Sequence, residues 1–236
     1  MDTVSRQCAR VEKAASVRFL LRSLSRAWDI LRWQGLFVLM RELIRRYVLD
    51  VRSFFLYEHE HRRWPERFAS LPDGFEECFV DGNAAADRVA ATHSDVRDLV
   101  PAGHLALASG AVAFCLYHGS EIAHVGWVAT SEAARRSIDR LGYEVRFDRG
   151  EAWTGAAFTV PRFRSRGLLT YSCLRRFDYL RESGFPLSRA AVATDNAASH
   201  RVTMLFEPRV YAIGRQFRLF RWRRWTERPV RPSDHH

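Results

Sequence analysis

Apolar and polar positions change period several times along the 236-residue chain, and those changes divide it into elements. Between about Val17 and Tyr57, Leu20, Leu21, Leu24, Trp28 and Leu31 recur on one side of a helical wheel, with Arg18, Arg22 and Arg26 on another. This predicts one or two amphipathic helices divided near Gly35. Glu58-His59-Glu60-His61 follows and would place two imidazoles on one face of a strand. A solvated element end is the simpler account of that run, with metal ligation as the alternative. Trp64-Pro65 and Leu71-Pro72-Asp73-Gly74 then interrupt the pattern. The expected organisation is a helical segment over 1–60, a linker over 61–74, an α/β domain over 75–228 and a flexible tail over 229–236.

Within that domain, strand-like and helix-like runs alternate. Phe75–Asp81 suits a first strand and Asn83–Leu99 a helix, closed by Pro101 and Gly103. Val112–Tyr117 and Ile122–Val128 are β-rich runs joined by His118-Gly119-Ser120-Glu121, a hairpin signal. Residues 131–142 read as an irregular or helical excursion. Glu151–Val160 is a third apolar run, followed by a basic loop and a helix over Leu168–Ser183. Leu187–Ala193 reads as a strand, Asn196–Phe206 as a helix and Val210–Trp222 as a final alternating strand region. That order predicts the α/β class, a mixed sheet covered by helices.

Charge narrows the chemistry. The formal net charge is +10, and Lys13 is the only lysine, so the excess is arginine. Arginine stays protonated at working pH, and Lys13 stands in neither a phosphate-binding loop nor a cofactor pocket. This excludes P-loop ATPases, kinases and pyridoxal enzymes. Cys8, Cys78, Cys115 and Cys173 show no paired spacing, which leaves no zinc knuckle or disulfide framework and makes a reducing cytoplasm the expected compartment. No apolar run is long enough to span a bilayer, but arginines among leucines and tryptophans over 17–57 suit contact with an anionic membrane surface. Packing on the chain's own domain is the plainer reading. No recognisable nucleic-acid module is present.

The loop before the long helix carries the candidate chemistry. Gly167 lets the backbone approach a ligand, the helix start offers unpaired N–H groups, and Arg164 and Arg166 add positive charge. That combination favours phosphate, while a solvated basic turn is the bland alternative. Phe158-Thr159-Val160-Pro161 precedes Arg164-Ser165-Arg166-Gly167-Leu168-Leu169, and Asp195-Asn196-Ala197-Ala198-Ser199 opens a later helix. Together with the hairpin from Ala113 to Trp127, this order resembles the GNAT acyltransferase superfamily from Gly110 to Gly214, and less closely from Phe75 to Trp222.

The resemblance implies a mostly antiparallel central sheet flanked by helices. It also implies transfer of an acyl group, acetyl-CoA being the first donor to consider, directly to an amine of a small molecule or sugar, with no metal. By the same resemblance the backbone of Phe158, Thr159 and Val160 would meet the pantetheine arm. The amides of Ser165, Arg166, Gly167, Leu168, Leu169 and Thr170 would hold the pyrophosphate, and Asn196 would face the cleft. The chain departs from the family pattern in three places. Leu169 replaces a small residue, Thr203 replaces a tyrosine that protonates the leaving thiolate, and Glu207-Pro208-Arg209 replaces a Gly-aromatic turn. Glu151 is the first candidate base, then His118, His124 and His200, each also readable as structural. Trp127 and Trp153 are most simply core aromatics. Two further readings stay open: long-chain N-acyl transfer from acyl-CoA or acyl carrier protein, and a non-catalytic module docking on a membrane or partner.

Overall fold

A computed structural model of the chain describes residues 49–64, 70–100, 102–220 and 222–230. The expected helices before residue 49 and the tail after 230 lie outside the described residues. The chain divides into two compact units, Arg52–Gln216 with Trp225–His236, and Met1–Val51 with Phe217–Arg224.

The elements in chain order are β1 (Leu49–Glu60), β2 (Phe75–Val80), α1 (Asn83–Ala90), α2 (Gly103–Ala108), β3 (Val112–His118), β4 (Glu121–Ala129), α3 (Glu132–Ile138), β5 (Glu151–Thr159), α4 (Leu168–Glu182), β6 (Leu187–Ala193), α5 (Ala197–Met204), β7 (Arg209–Leu219) and β8 (Trp222–Pro229). The strands form one sheet in the order β2-β3-β4-β5-β6-β1-β7-β8. Neighbours run antiparallel at β2/β3, β3/β4, β4/β5 and β6/β1, and parallel at β5/β6. The mixed, mostly antiparallel sheet expected from the sequence is present.

Both faces of the sheet are covered, which is why β3 reads as a continuous apolar run instead of alternating. Ala113, Cys115 and Tyr117 face a cluster with Trp127, Trp153 and Tyr143, closed by Ala85, Ala86, Ala106, Leu107 and Ala134 from α1, α2 and α3. Phe114 and Leu116 face the opposite side, where Leu168 and Tyr171 of α4 pack. In α4, Leu168, Tyr171, Leu174, Phe177 and Leu180 recur every third residue and are all buried, with Ser172 and Arg176 between them, so one side of the helix lies on the sheet. Trp153 donates from Nε1 to the Tyr143 hydroxyl at 2.7 Å, which satisfies the indole in the apolar interior. Trp127 and Trp153 are thus core aromatics, 0% and 1% exposed.

Four differences from the sequence reading have physical causes. Residues 49–57 extend no helix: Phe54 to Glu60 pair with Ala193 to Leu187 of β6. The expected helix over Asn83–Leu99 ends at Ala90, because Asp95 caps a separate short turn by accepting from the Arg97 N–H at 2.9 Å. A further helix, α2, begins at Gly103, where a Cβ would stand 2.6 Å from the Arg97 Cα. The final strand region is two strands, turning at Phe220 with φ 52.

Candidate functional site

β5 and β6 create the opening. Their parallel pairing covers only Glu151↔Leu187, Ala152↔Ser188 and Trp153↔Arg189. Beyond it β6 stays with β1 and β5 stays with β4, so the two diverge. Between the pairs Val125↔Phe158 and Trp127↔Gly155, Ala156 and Ala157 stand opposite Gly126 alone, which is a β-bulge. Ala156 takes φ 47 there, and burial along β5 changes at the same place: residues 151–154 are buried and 156–158 exposed. The unpaired stretch of β5 therefore presents main-chain groups and small side chains at an open edge.

At the end of that edge the chain turns into α4. Val160 N–H donates to Ala123 O at 2.9 Å, and Phe163 N–H to Val160 O at 2.9 Å. Phe163 and Leu168 are buried with Phe75, Phe114 and Leu116, so the loop is pinned at both ends. Between these anchors Ser165 and Gly167 adopt left-handed conformations, φ 62 and φ 77. None of the N–H groups of Ser165, Arg166, Gly167, Leu168, Leu169 and Thr170 has an acceptor among the described residues, and the first bond of the helix is Tyr171 N–H to Gly167 O at 3.0 Å. Arg164, Ser165, Arg166 and Gly167 are exposed, and a Cβ built on Gly167 meets nothing within 4 Å. Successive unpaired amides at the start of a 15-residue helix, with basic side chains beside them, form an anion-binding arrangement. Leu169 is half-buried and belongs to none of the core clusters; Leu168 is the one that packs inward.

The other candidates fare differently. Val160 has its N–H engaged, so only its carbonyl, which already accepts from the Phe163 N–H, could still meet a ligand through its second lone pair. The Thr159 carbonyl accepts from Arg164 Nε at 3.3 Å, while Phe158 is 44% exposed on the open edge. Asn196 caps α5, its Oδ1 accepting from Ser199 N–H at 3.1 Å. Thr203 is half-buried on α5 with its own carbonyl bonded to Phe206 N–H.

Glu151 is a poor base. Its carboxylate accepts from Arg146 N–H at 2.9 Å and Arg146 Nε at 2.7 Å, and pairs with Arg189 at 2.7 Å. Burial alone would raise its pKa, but these hydrogen bonds and the guanidinium charge outweigh it and hold the carboxyl below its ordinary value. Glu151→Gln is expected to cost about 1–3 kcal/mol of stability, read by denaturant unfolding, because the charge-assisted bonds to Arg146 and Arg189 weaken while Arg189 keeps Glu58 and Arg146 keeps solvent. It should leave any acidic limb of a pH–rate profile in place.

Two other candidate histidines have partners within the fold. His118, exposed at the end of β3, lies tilted against Phe75 and Phe163, and His200 bridges the Tyr57 hydroxyl and the Ala193 carbonyl. His59, on β1, and His61, directly after it, both lie against Phe177 and are 4% and 7% exposed, so the solvated end expected there is core instead. His61 bonds Phe185 O at 2.6 Å and Ser188 Oγ at 2.9 Å. No group of metal-ligating side chains occurs among the described residues. His124 is fully buried, with Nδ1 2.7 Å from Thr159 Oγ1.

Sequence reasoning passed over a buried polar cluster beneath this opening. Arg176 of α4 is 4% exposed, donates to Ser172 O at 3.1 Å and Trp127 O at 3.4 Å, and has no carboxylate partner among the described residues. Gly126 makes room for it, since a Cβ there would stand 2.9 Å from the guanidinium carbon. His59 Nδ1, His124 Nε2 and Ser172 Oγ are buried without partners nearby. Burial, and then the Arg176 charge, depress the pKa of His124 to about 3; burial, His61 and Arg176 do the same for His59. The sequence signal was Ser172 and Arg176 four residues apart on the apolar stripe of a helix.

No family model matches the chain, and no curated protein matches it. Solved structures do. A Drosophila protein is 14% identical over 79% of this chain and 58% of its own, with TM-score 0.48. A GNAT-family acetyltransferase from Novosphingobium aromaticivorans is 13% identical over 71% of this chain and 64% of its own, with TM-score 0.44. A tandem GNAT protein from the clavulanic acid biosynthesis pathway is 16% identical over 77% of this chain and 54% of its own, with TM-score 0.44. The chain is similar to these over less than two thirds of their length.

Proposed function

We propose that the chain is an acyl-CoA-dependent N-acyltransferase that passes an acyl group, acetyl in the first instance, directly to an amine. The observation that carries this reading is the run of unpaired amides from Ser165 to Thr170 at the start of α4, beside the edge of β5 that β6 leaves open. A diphosphate fits the amides and the exposed guanidinium groups of Arg164 and Arg166, and an extended amide-bearing arm fits the open strand edge. In the reaction the amine nitrogen attacks the thioester carbonyl, the C–N bond forms and the C–S bond breaks. The proton lost by the amine ends on the thiol. A main-chain N–H on the unpaired part of β5 would stabilise the oxyanion. With Glu151 held by two arginines and His124 buried, water is the proton path this reading uses.

Acetyl-CoA is expected to raise the melting temperature by an amount that grows with the logarithm of its concentration. Gly167→Asp should abolish the rise by placing a charged side chain where a diphosphate would lie and straining φ 77. A larger rise with a long-chain acyl-CoA would shift the donor to the longer class. No rise with either would leave the anion-binding loop without this function.

A further inference from the structure

The turn between β7 and β8 presents apolar and basic side chains together. Leu219, Phe220 and Trp222 are 39%, 65% and 55% exposed, and Phe220 turns the chain in a left-handed conformation, φ 52, that a bulky residue adopts only at a cost. Trp222 leans edge-on against Phe217, with ring centroids 5.6 Å apart, so the aromatic surface is held in place. Arg223 and Arg224 follow directly, both exposed, and no acidic side chain pairs with either among the described residues. Between Glu207 and Glu227 the sequence has six arginines and no acidic residue.

An exposed hydrophobic tip that persists in a chain of net charge +10 calls for a partner that is apolar within and anionic at its surface. We infer that the β7–β8 turn inserts Leu219, Phe220 and Trp222 into the interface of an anionic lipid bilayer, with Arg223 and Arg224 at the level of the headgroups. Tryptophan suits that depth because its ring is apolar and its N–H polar. Each arginine adds about 1 kcal/mol of attraction to an anionic surface, roughly a fivefold gain in partitioning. An aliphatic residue beside the aromatics favours lipid over nucleic acid, since Leu219 offers no face for a base to stack on.

The test is flotation of the full chain with vesicles of phosphatidylcholine, with and without phosphatidylglycerol. Binding is expected only with the anionic lipid and should weaken as salt rises. Arg223→Glu with Arg224→Glu should lower partitioning by more than tenfold. Phe220→Ser with Trp222→Ser should lower it comparably at high salt, where charge contributes least. Unchanged melting temperatures would show that both variants fold. Flotation equal to that of the unmodified chain in both variants would overturn the proposal, as would binding to single-stranded RNA with none to vesicles.

Discussion

A chain beginning at residue 61 is expected to show no cooperative thermal transition. β1 is a central strand, between β6 and β7, and it carries Phe54, Leu56, Tyr57 and His59 into the interior. Removing it exposes the inner edges of two strands and takes His59 away from Phe177 of α4, against which its ring packs at 5.0 Å between centroids. Fully burying one large apolar side chain contributes about 1.5–3 kcal/mol, and a domain's whole margin is about 5–15 kcal/mol. Loss of three such side chains, about 4.5–9 kcal/mol, removes much of that margin before the two lost ladders are added. Circular dichroism on heating, set beside the full chain, makes the measurement. A sharp melt from the shortened chain would mean that β1 is an accessory, as the division at residue 60 expected from sequence implied.

Acid should unfold the protein earlier than its carboxylates alone would. His59 and His124 have folded pKa values near 3, while an unfolded histidine titrates near 6.5. The neutral form is favoured by the fold, so the stabilisation is fully present above about pH 6.5 and is lost as pH falls toward 3. Unfolding across that window takes up a proton at each imidazole the fold holds neutral, up to about 1.4 kcal/mol per pH unit for each, and His61, whose pKa burial also lowers, adds to the decline. Asp95 and Glu151, whose folded pKa values are lowered, add their loss only below the ordinary carboxylate range. Urea unfolding at pH 7, 6 and 5 should show the steep decline, and His59→Phe, which keeps a ring against Phe177, should make it shallower. A flat profile between pH 7 and 5 would show that these imidazoles are not held neutral.

How far such elements were legible depended on where their partners lie. β6 was read to the residue because Leu187–Ala193 is a compact β-rich run bounded by turn residues. The β3–β4 hairpin and α4 were read to within one or two residues for similar local reasons. β1 was missed because its buried face ends in Tyr57 and His59, with His61 just beyond, and histidines in the core do not register as an apolar stripe. The β7–β8 turn was invisible because it has no Gly, Pro, Asn or Asp, only Phe220 in a rare conformation. At the site, Gly167 and its neighbours announced the loop locally. Glu151 was misread because one of its two arginines, Arg189, is thirty-eight positions away and brought near only by the parallel pairing.

The central position of β1 also has a consequence for synthesis. Glu60 pairs with Leu187, 127 positions later, and Phe54 with Ala193, 139 later. At roughly 5–20 residues per second, the nascent strand waits on the order of ten seconds for its neighbour to leave the ribosome. During that interval an aromatic-rich β-former has no mate, and the charged side chains along it, Asp50, Arg52, Glu58 and Glu60, are what stand against self-association with other nascent copies.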